Sequence, residues 1–571
     1  MRCFMKSSYY FVLALVTLWI VHLWKWLEPL PFSAKLWAKN HYPALIVALG
    51  LATLCFVSVG PSFKVLSDET NVLCVSRSMC FNKTVENTNV GLYYYGNFHT
   101  LTSTQDGRPF LFPFVVSLLH TIAGYHPMNS FLANYIVMVL LLMLIYIGVR
   151  EFLDPLSAYA AMILAASCPQ FAICGASGGI ELLSVFILGI VFFSLYHYLN
   201  TPTSRSFAFL WVTLLLMAHT REESFIFFFI VLGLIHFLKR IPPDHLREST
   251  WLLSATPALT LPLFWQRILM LHDYQTPQGD QSFSAGNLMT HLTLFLKSQF
   301  NLSYDFPYPH ALHLLGLGIF LFLFFKTFVT KRIFQTLEQK HFLIVVFACI
   351  AVHLIVIMSF WGGTYIHPAA TRYFLLFSLT CAMAPVLFSS TLPDTEQKHP
   401  FILLLLAFNM FILYHPIAVE GRFMNSLILK RESDFCYEFL ANQPDKNVVV
   451  VAGRPGQYTA LNFGAVDFNF ANRRMKDLQD ELNGHLCRDV FVFQHILFQT
   501  HAPIPEDNLG SAFILEPLAE RQTAAQSFMR ISRVKDIQLA AALMALRPMA
   551  LPVNAAAAVP TKTKASRQFR P

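Results

Sequence analysis

Charge is what this sequence has least of. Only 13% of its 571 residues are Asp, Glu, Lys or Arg, about half the share of a soluble globular chain. No HExxH spacing occurs among its 21 histidines, and there is no P-loop, no G-x-G-x-x-G after a strand and no G-x-S-x-G elbow. The usual signatures of zinc peptidases, P-loop NTPases, dinucleotide enzymes and serine hydrolases are therefore missing. The ten cysteines include no zinc-like double pair. Cys74/Cys80 and Cys168/Cys174 each lie close together in sequence, where a disulfide and simple packing are both open. A net charge of +8 marks no nucleic-acid partner, because the Lys and Arg residues collect in short loops, where membrane topology accounts for them.

What the chain has instead is apolar length. Hydrophobic residues make up 55% of it, with 55 phenylalanines, and runs of about 20 apolar residues recur, each able to cross roughly 30 Å of hydrocarbon. The run 9–27 has no small-residue cleavage site and continues into Trp24-Lys25-Trp26, an interfacial anchor, so it is expected to be retained. A second run covers 43–59. Further spans are expected at 131–149, 156–173, 180–199, 207–219, 224–238, 251–271, 312–325, 342–360, 373–389 and 401–416. Alternate loops hold Arg150; Arg205; Lys239, Arg240 and Arg247; Lys326, Lys331, Arg332 and Lys340; and Lys398. The positive-inside rule assigns these to the cytoplasm. Parity then gathers the unusual polar residues on the opposite, outer face and puts the N-terminus there too, unless the first run is a peripheral or interfacial helix.

The long polar interval on that face runs from 67 to 124. Asp68 and Glu69 open it, an acidic pair that is either a solvated loop start or a general base or divalent-metal site where a span leaves the membrane. Tyr93 to Tyr95 follow. Asp106-Gly107-Arg108-Pro109 then forms a turn ahead of the apolar run 110–122, which reads as a helix lying in the interface. Arg108 at its head is a snorkelling anchor or a phosphate ligand. Arg221-Glu222-Glu223 divides two apolar runs, as an internal ion pair or as a headgroup site. Glu181 opens a span, either complementing the helix dipole or lining a cavity. Tyr365, His367, Arg372 and Tyr373 mark a third outer corner, where Arg372 is another candidate for a phosphate. Asn82-Lys-Thr and Asn301-Leu-Ser are glycosylation sequons on the expected outer face, of consequence only in a eukaryote.

From about Ser433 the composition changes. The runs 447–452, 465–470 and 489–493 are strand-like, with a helix-like segment at 474–486 between the last two. The expected plan is a membrane domain over 1–432 with an outer catalytic loop at 61–124, a small α/β domain over 433–540 on the outer face, and a disordered tail over 541–571.

The order of elements resembles a known class. An acidic pair after an early span, then DGRPFLFPFVVSLLHTIAGYHPMN, then a span ending in GVREFLDPLSAYAAMILAASCPQF, is similar to the GT-C class of polyprenyl-phosphate-sugar glycosyltransferases, with the aminoarabinose transferases of lipid A and the protein O-mannosyltransferases nearest. The resemblance spans about 66–238, with Arg372-Tyr373 in weaker support. It implies an all-α polytopic fold of about 11–12 transmembrane helices, interfacial helices in the first outer loop and the small α/β domain outside the membrane. It also implies a polyprenyl-phosphate-linked sugar donor and inverting transfer to a hydroxyl of a lipid, glycan or protein. Asp68 matches the position of the base, with Glu69 beside it. Arg108 matches a basic-Pro position near the donor phosphate, and Arg221 and Arg372 match outer arginines more loosely. Tyr94, Asp106, Glu181, Glu222, Tyr365 and His367 are expected cavity-lining residues. Thr70-Asn71-Val72 departs from the usual Arg-Tyr-Ala continuation, and the span at 9–27 is extra. The resemblance suggests a bacterial inner membrane with a periplasmic site.

A different function class uses the same charges. In a lipid or solute transporter they would line a substrate path, but transporters often repeat a half with broken helices, and no halving is visible here.

Overall fold

The structure is a computed structural model of the chain, described for residues 2–28, 34–94, 97–269, 282–299, 310–325, 336–366, 369–389, 402–407, 428–444 and 446–538. His367, Asn301 and the tail 541–571 lie outside the described residues, as does the side chain of Tyr94.

Two long helices lead in, α1 (Arg2–Leu27) and α2 (Ala34–Val59). The long polar stretch follows as α3 (Leu66–Asn82), a hairpin of β1 (Glu86–Tyr94) and β2 (Asn97–Gln105), and α4 (Leu111–Ala123). The helical body continues with α5 (Met128–Arg150), α6 (Pro155–Ser167), α7 (Pro169–Gly175), α8 (Glu181–Asn200), α9 (Ser204–Ala218), α10 (Phe225–Phe237), α11 (Pro243–Glu248) and α12 (Thr250–Leu269). It then runs through α13 (Ala285–Gln299), α14 (His310–Phe325), α15 (Leu337–Ser359) and α16 (Leu375–Ser389). Among the described residues five helices are long and apolar enough to cross a membrane: the cores of α1 and α2, then α5, α8 and α15. A sixth span results if α6 and α7 count as one. The chain is an integral, multi-pass membrane protein.

The expected span 156–173 is broken. α6 and α7 meet at 71° because Pro169 has no N–H to give and disfavours helical backbone at the residue before it. Cys168 is accordingly extended, at φ −67° and ψ 119°. Neither cysteine pair is bridged, and all ten are free. Each pair lies six residues apart, Cys74 and Cys80 within α3 and Cys168 and Cys174 along α7. Six helical residues climb about 9 Å and turn the side chains away from each other, beyond disulfide reach.

α1 is neither peripheral nor interfacial. Trp19 Nε1 donates to Thr213 of α9 at 3.1 Å, Trp265 Nε1 of α12 donates to Ser8 at 2.8 Å, and the Trp26 ring stacks on Phe209 at 4.9 Å. Its first turns lie beside the hairpin, where the Val85 amide donates to the Met5 carbonyl, and its last turn lies near Arg205.

The C-terminal segment contributes to a sheet. α17 (Ile428–Ala441) leads to β3 (Val448–Ala452), β4 (Gly464–Val466), β5 (Asp489–Leu497), β6 (Phe513–Gln522) and β7 (Ser527–Ile537). β3 is buried at every position, the mark of a central strand covered on both faces. Val449 and Val451 face one apolar layer, and Val448, Val450 and Ala452 the other. The sheet order is β2-β1-β4-β3-β5-β7-β6. Two of its seven strands therefore come from the long polar stretch, where the sequence suggested only loop and interfacial helix. Gly91 of β1 pairs with Ala465 of β4, which bolts that stretch to the C-terminal segment.

A charged clamp holds the sheet to α17. His495 on β5 lies 2.5 Å from Asp507 and 3.0 Å from Glu432 of α17. Burial alone would lower the imidazole pKa, but the hydrogen bonds to Asp507 and Glu432 raise it to about 9. A raised histidine stabilises the fold fully below its unfolded value, and the contribution fades as pH climbs through the folded one. The melting temperature of the purified protein should therefore fall between about pH 7 and pH 10, with about 2 kcal/mol at stake. His495→Gln should melt lower at neutral pH and show a flatter alkaline decline.

Candidate functional site

The acidic pair divides into two different jobs within the first turn of α3. Neighbouring helical residues point about 100° apart, so Asp68 and Glu69 cannot share one target. Glu69 is 1% exposed and turned into the protein. One of its oxygens accepts from the amides of Lys64 and Val65 at 2.9 and 2.8 Å, and the other accepts from the Gly178 amide at 2.8 Å. Burial pushes this carboxyl up to about 7, against the pull of the backbone donors. Glu69 thus ties the start of α3 to the 177–180 turn and does not face the cavity. That turn is packed closely around its glycines. A Cβ on Gly179 would sit 2.3 Å from a Glu181 oxygen, and one on Gly178 would stand 3.3 Å from Glu69.

Asp68 faces the other way. Its Oδ1 accepts from Nη2 of Arg108 and its Oδ2 from Nη2 of Arg372. Each guanidinium has a second anchor: Arg108 Nη1 meets Asp106 at 2.9 Å, and Arg372 Nη1 meets Glu181 at 3.1 Å. Burial alone would raise the Asp68 pKa, but the two arginines outweigh it and hold the carboxyl at about 2. The more deeply buried Asp106 is instead raised. The Arg108 turn is itself braced by Gln266 on α12, whose amide donates to the Asp106 and Arg108 carbonyls at 2.7 Å each.

Arg221 pairs with Glu223 at 2.6 Å, the internal ion pair weighed from the sequence, and Glu222 pairs with Arg267 at 2.6 Å. Two guanidinium groups lie near the Tyr373 ring, Arg221 at 4.8 Å and Arg372 at 5.0 Å from its centroid, distances at which a cation is attracted to a ring face. These groups share one cavity of about 690 Å³, lined by Asp68, Arg108, Glu181, Arg221, Glu222 and Arg372. Phe225, Phe229, Phe283 and Phe360 supply an apolar wall.

Several expectations need correction. Tyr365 is fully buried away from the cavity, its ring edge-on to Phe295 at 5.2 Å and Phe374 at 5.0 Å. Asp106 and Glu69 stand behind the lining and position it. A divalent ion shared by Asp68 and Glu69 does not fit, since every oxygen of the pair already accepts from an N–H donor. Among the described residues, no three His, Cys, Asp or Glu side chains are grouped to hold a metal. Missed by sequence reasoning were Gln266 and Arg267, while Glu223, read only as part of an ion-paired corner, also lines the cavity. Arg267 carried a signal, a charge inside the apolar run 251–271, where ionisable residues are costly and usually functional. Gln266 carried none, because its role is to two carbonyls some 160 residues away.

Residues 107–265 match the dolichyl-phosphate-mannose-protein mannosyltransferase family. No curated protein sequence matches the chain. ArnT from Cupriavidus metallidurans bound to undecaprenyl phosphate is similar in structure at 10% identity and TM-score 0.43, over 87% of this chain and 98% of that one. The Archaeoglobus fulgidus oligosaccharyltransferase in complex with Zn and sulfate is similar at 14% identity and TM-score 0.45, over 79% and 67%. The matched family segment contains Arg108, Glu181, Arg221 and Glu222 of the cavity.

Proposed function

We propose that the cavity transfers a sugar from a polyprenyl-phosphate carrier to a hydroxyl group at the outer face of the membrane, with inversion at the anomeric carbon. The observation that carries this reading is the convergence of Asp68 with Arg108, Arg221 and Arg372 on one cavity that also has a phenylalanine wall. The acceptor hydroxyl attacks the anomeric carbon from the side opposite the phosphate and gives its proton to Asp68. The bond from that carbon to the phosphate oxygen breaks, and the carrier leaves as polyprenyl phosphate. The three arginines stabilise the charge that develops on the leaving phosphate, often the largest contribution in such a site. The phenylalanine wall suits the first isoprene units of the carrier. The name of the matched family agrees with a lipid monophosphate donor. A bacterial inner membrane with the site toward the periplasm is the setting this reading favours, since the positive-inside rule assigns the basic loops to the opposite side.

Incubating the purified protein in nanodiscs with a radiolabelled polyprenyl-phosphate sugar tests the reading. Sugar should leave the carrier in proportion to protein. Intact donor after prolonged incubation, with carrier bound or moved between leaflets, would favour a transporter instead.

A further inference from the structure

The four arginines in the cavity lining face four carboxylates there, and each arginine is paired: Arg108 and Arg372 with Asp68, Arg221 with Glu223, Arg267 with Glu222. A phosphate therefore enters a cavity whose positive charge is already matched. The most favourable arrangement removes one carboxylate from the cations as the phosphate arrives, since an anion added beside a retained one is repelled at close range.

The pairs around Asp68 identify which carboxylate leaves. Asp68 takes Nη2 from both Arg108 and Arg372, one guanidinium on each oxygen, while the Nη1 groups are fixed by Asp106 and Glu181. The side chains of Asp106 and Glu181 are 5% and 4% exposed, against 21% for Asp68. Asp106 thus holds Arg108 from behind the lining and Glu181, buried more deeply within it, holds Arg372, while the more exposed Asp68 meets both from the open side of the cavity. A carboxylate clamped between two guanidinium groups has the donor arrangement that two oxygens of a phosphate require.

We propose that Asp68 occupies the seat of the donor phosphate until the donor binds, and that binding is an exchange. Phosphate oxygens take the Nη2 groups of Arg108 and Arg372, Asp106 and Glu181 keep those arginines in place, and the Asp68 carboxylate is freed toward the acceptor. The exchange rests on the reading that these arginines bind the donor phosphate. It orders the reaction, because the base becomes available only once the donor is seated. It also strengthens the base. Separated from the two cations that hold it at about 2, a carboxyl in this largely enclosed position moves up and becomes a better proton acceptor.

Exchange gives Asp68 and Asp106 opposite signs in a binding experiment. With farnesyl phosphate as the probe and the full chain in detergent, Asp68→Asn should bind about tenfold more tightly than the unaltered protein, because a competing anion is gone. Asp106→Asn should bind several-fold more weakly. Equal or weaker binding by Asp68→Asn, with its melting temperature preserved, overturns the exchange. If that variant does not fold, the unaltered enzyme still decides the matter. At saturating donor its kcat should fall on the acid side with an apparent pKa of about 4 or higher, and a kcat flat down to pH 4 overturns the proposal. Sugar transfer retained by a folded Asp68→Asn would instead refute the role of Asp68 as base, a separate result from the affinity measurement.

Discussion

Asp68→Asn should abolish sugar transfer, by about 10³-fold or more, in a protein that still folds. General-base contributions run to about 10²–10⁴-fold, and this carboxylate also balances two arginines. The fold should survive because asparagine keeps the size of the side chain and one acceptor oxygen. Arg108 and Arg372 also retain Asp106 and Glu181 as partners. The comparison to make is turnover of a lipid-linked sugar by matched amounts of the two proteins with equal melting temperatures. Full activity in the variant would move the base elsewhere on the cavity lining, with Glu223 the first alternative. Glu69→Gln makes a useful contrast, since its carboxylate serves backbone amides and not the cavity.

Arg372→Met should be damaging in a second way, through stability as well as rate. Arg372 is 9% exposed and bridges Asp68 on α3 to Glu181 at the start of α8. Removing one partner of a buried ion pair leaves uncompensated charge, at a cost of about 3–5 kcal/mol. Transfer should fall by at least about 10²-fold, the scale of losing one donor aimed at developing negative charge. Arg372→Lys should recover much of the melting temperature and little of the rate. A single ammonium retains the charge but cannot present a planar fork to two carboxylates at once. Near-normal transfer in the lysine variant would show that charge alone, and not the bridging geometry, is what the site uses.

Much of the site was legible because charge is scarce in this chain. In a sequence with 13% charged residues, an arginine or acid near a span end has few ordinary explanations, so Asp68, Arg108, Glu181, Arg221, Glu222 and Arg372 stand out, and all line the cavity. Tyr365 was misleading for a related reason. An aromatic in an outer corner has the same local pattern whether it faces solvent, lipid or its own neighbours. Here Phe295 and Phe374 decide the matter, and neither contact is written near Tyr365 in any periodic way. The hairpin of β1 and β2 was hidden for another reason. Its threonines and asparagines read as loop until β4, over 350 residues later, gives β1 a strand to pair with.

The sequence by itself determined that this chain lives in a membrane, which polar stretch lies between its spans, and that acids and arginines gather there. Those properties follow from composition and from apolar length, which depend on no distant contact. Tertiary structure alone decided that Asp68 rather than Glu69 faces the cavity, that Arg108 and Arg372 meet on one carboxylate, and that a hairpin from the long polar stretch completes the C-terminal sheet. Each of these depends on the direction of a side chain or on a partner 40 to several hundred residues away, and directions of that kind are fixed by packing of the whole molecule.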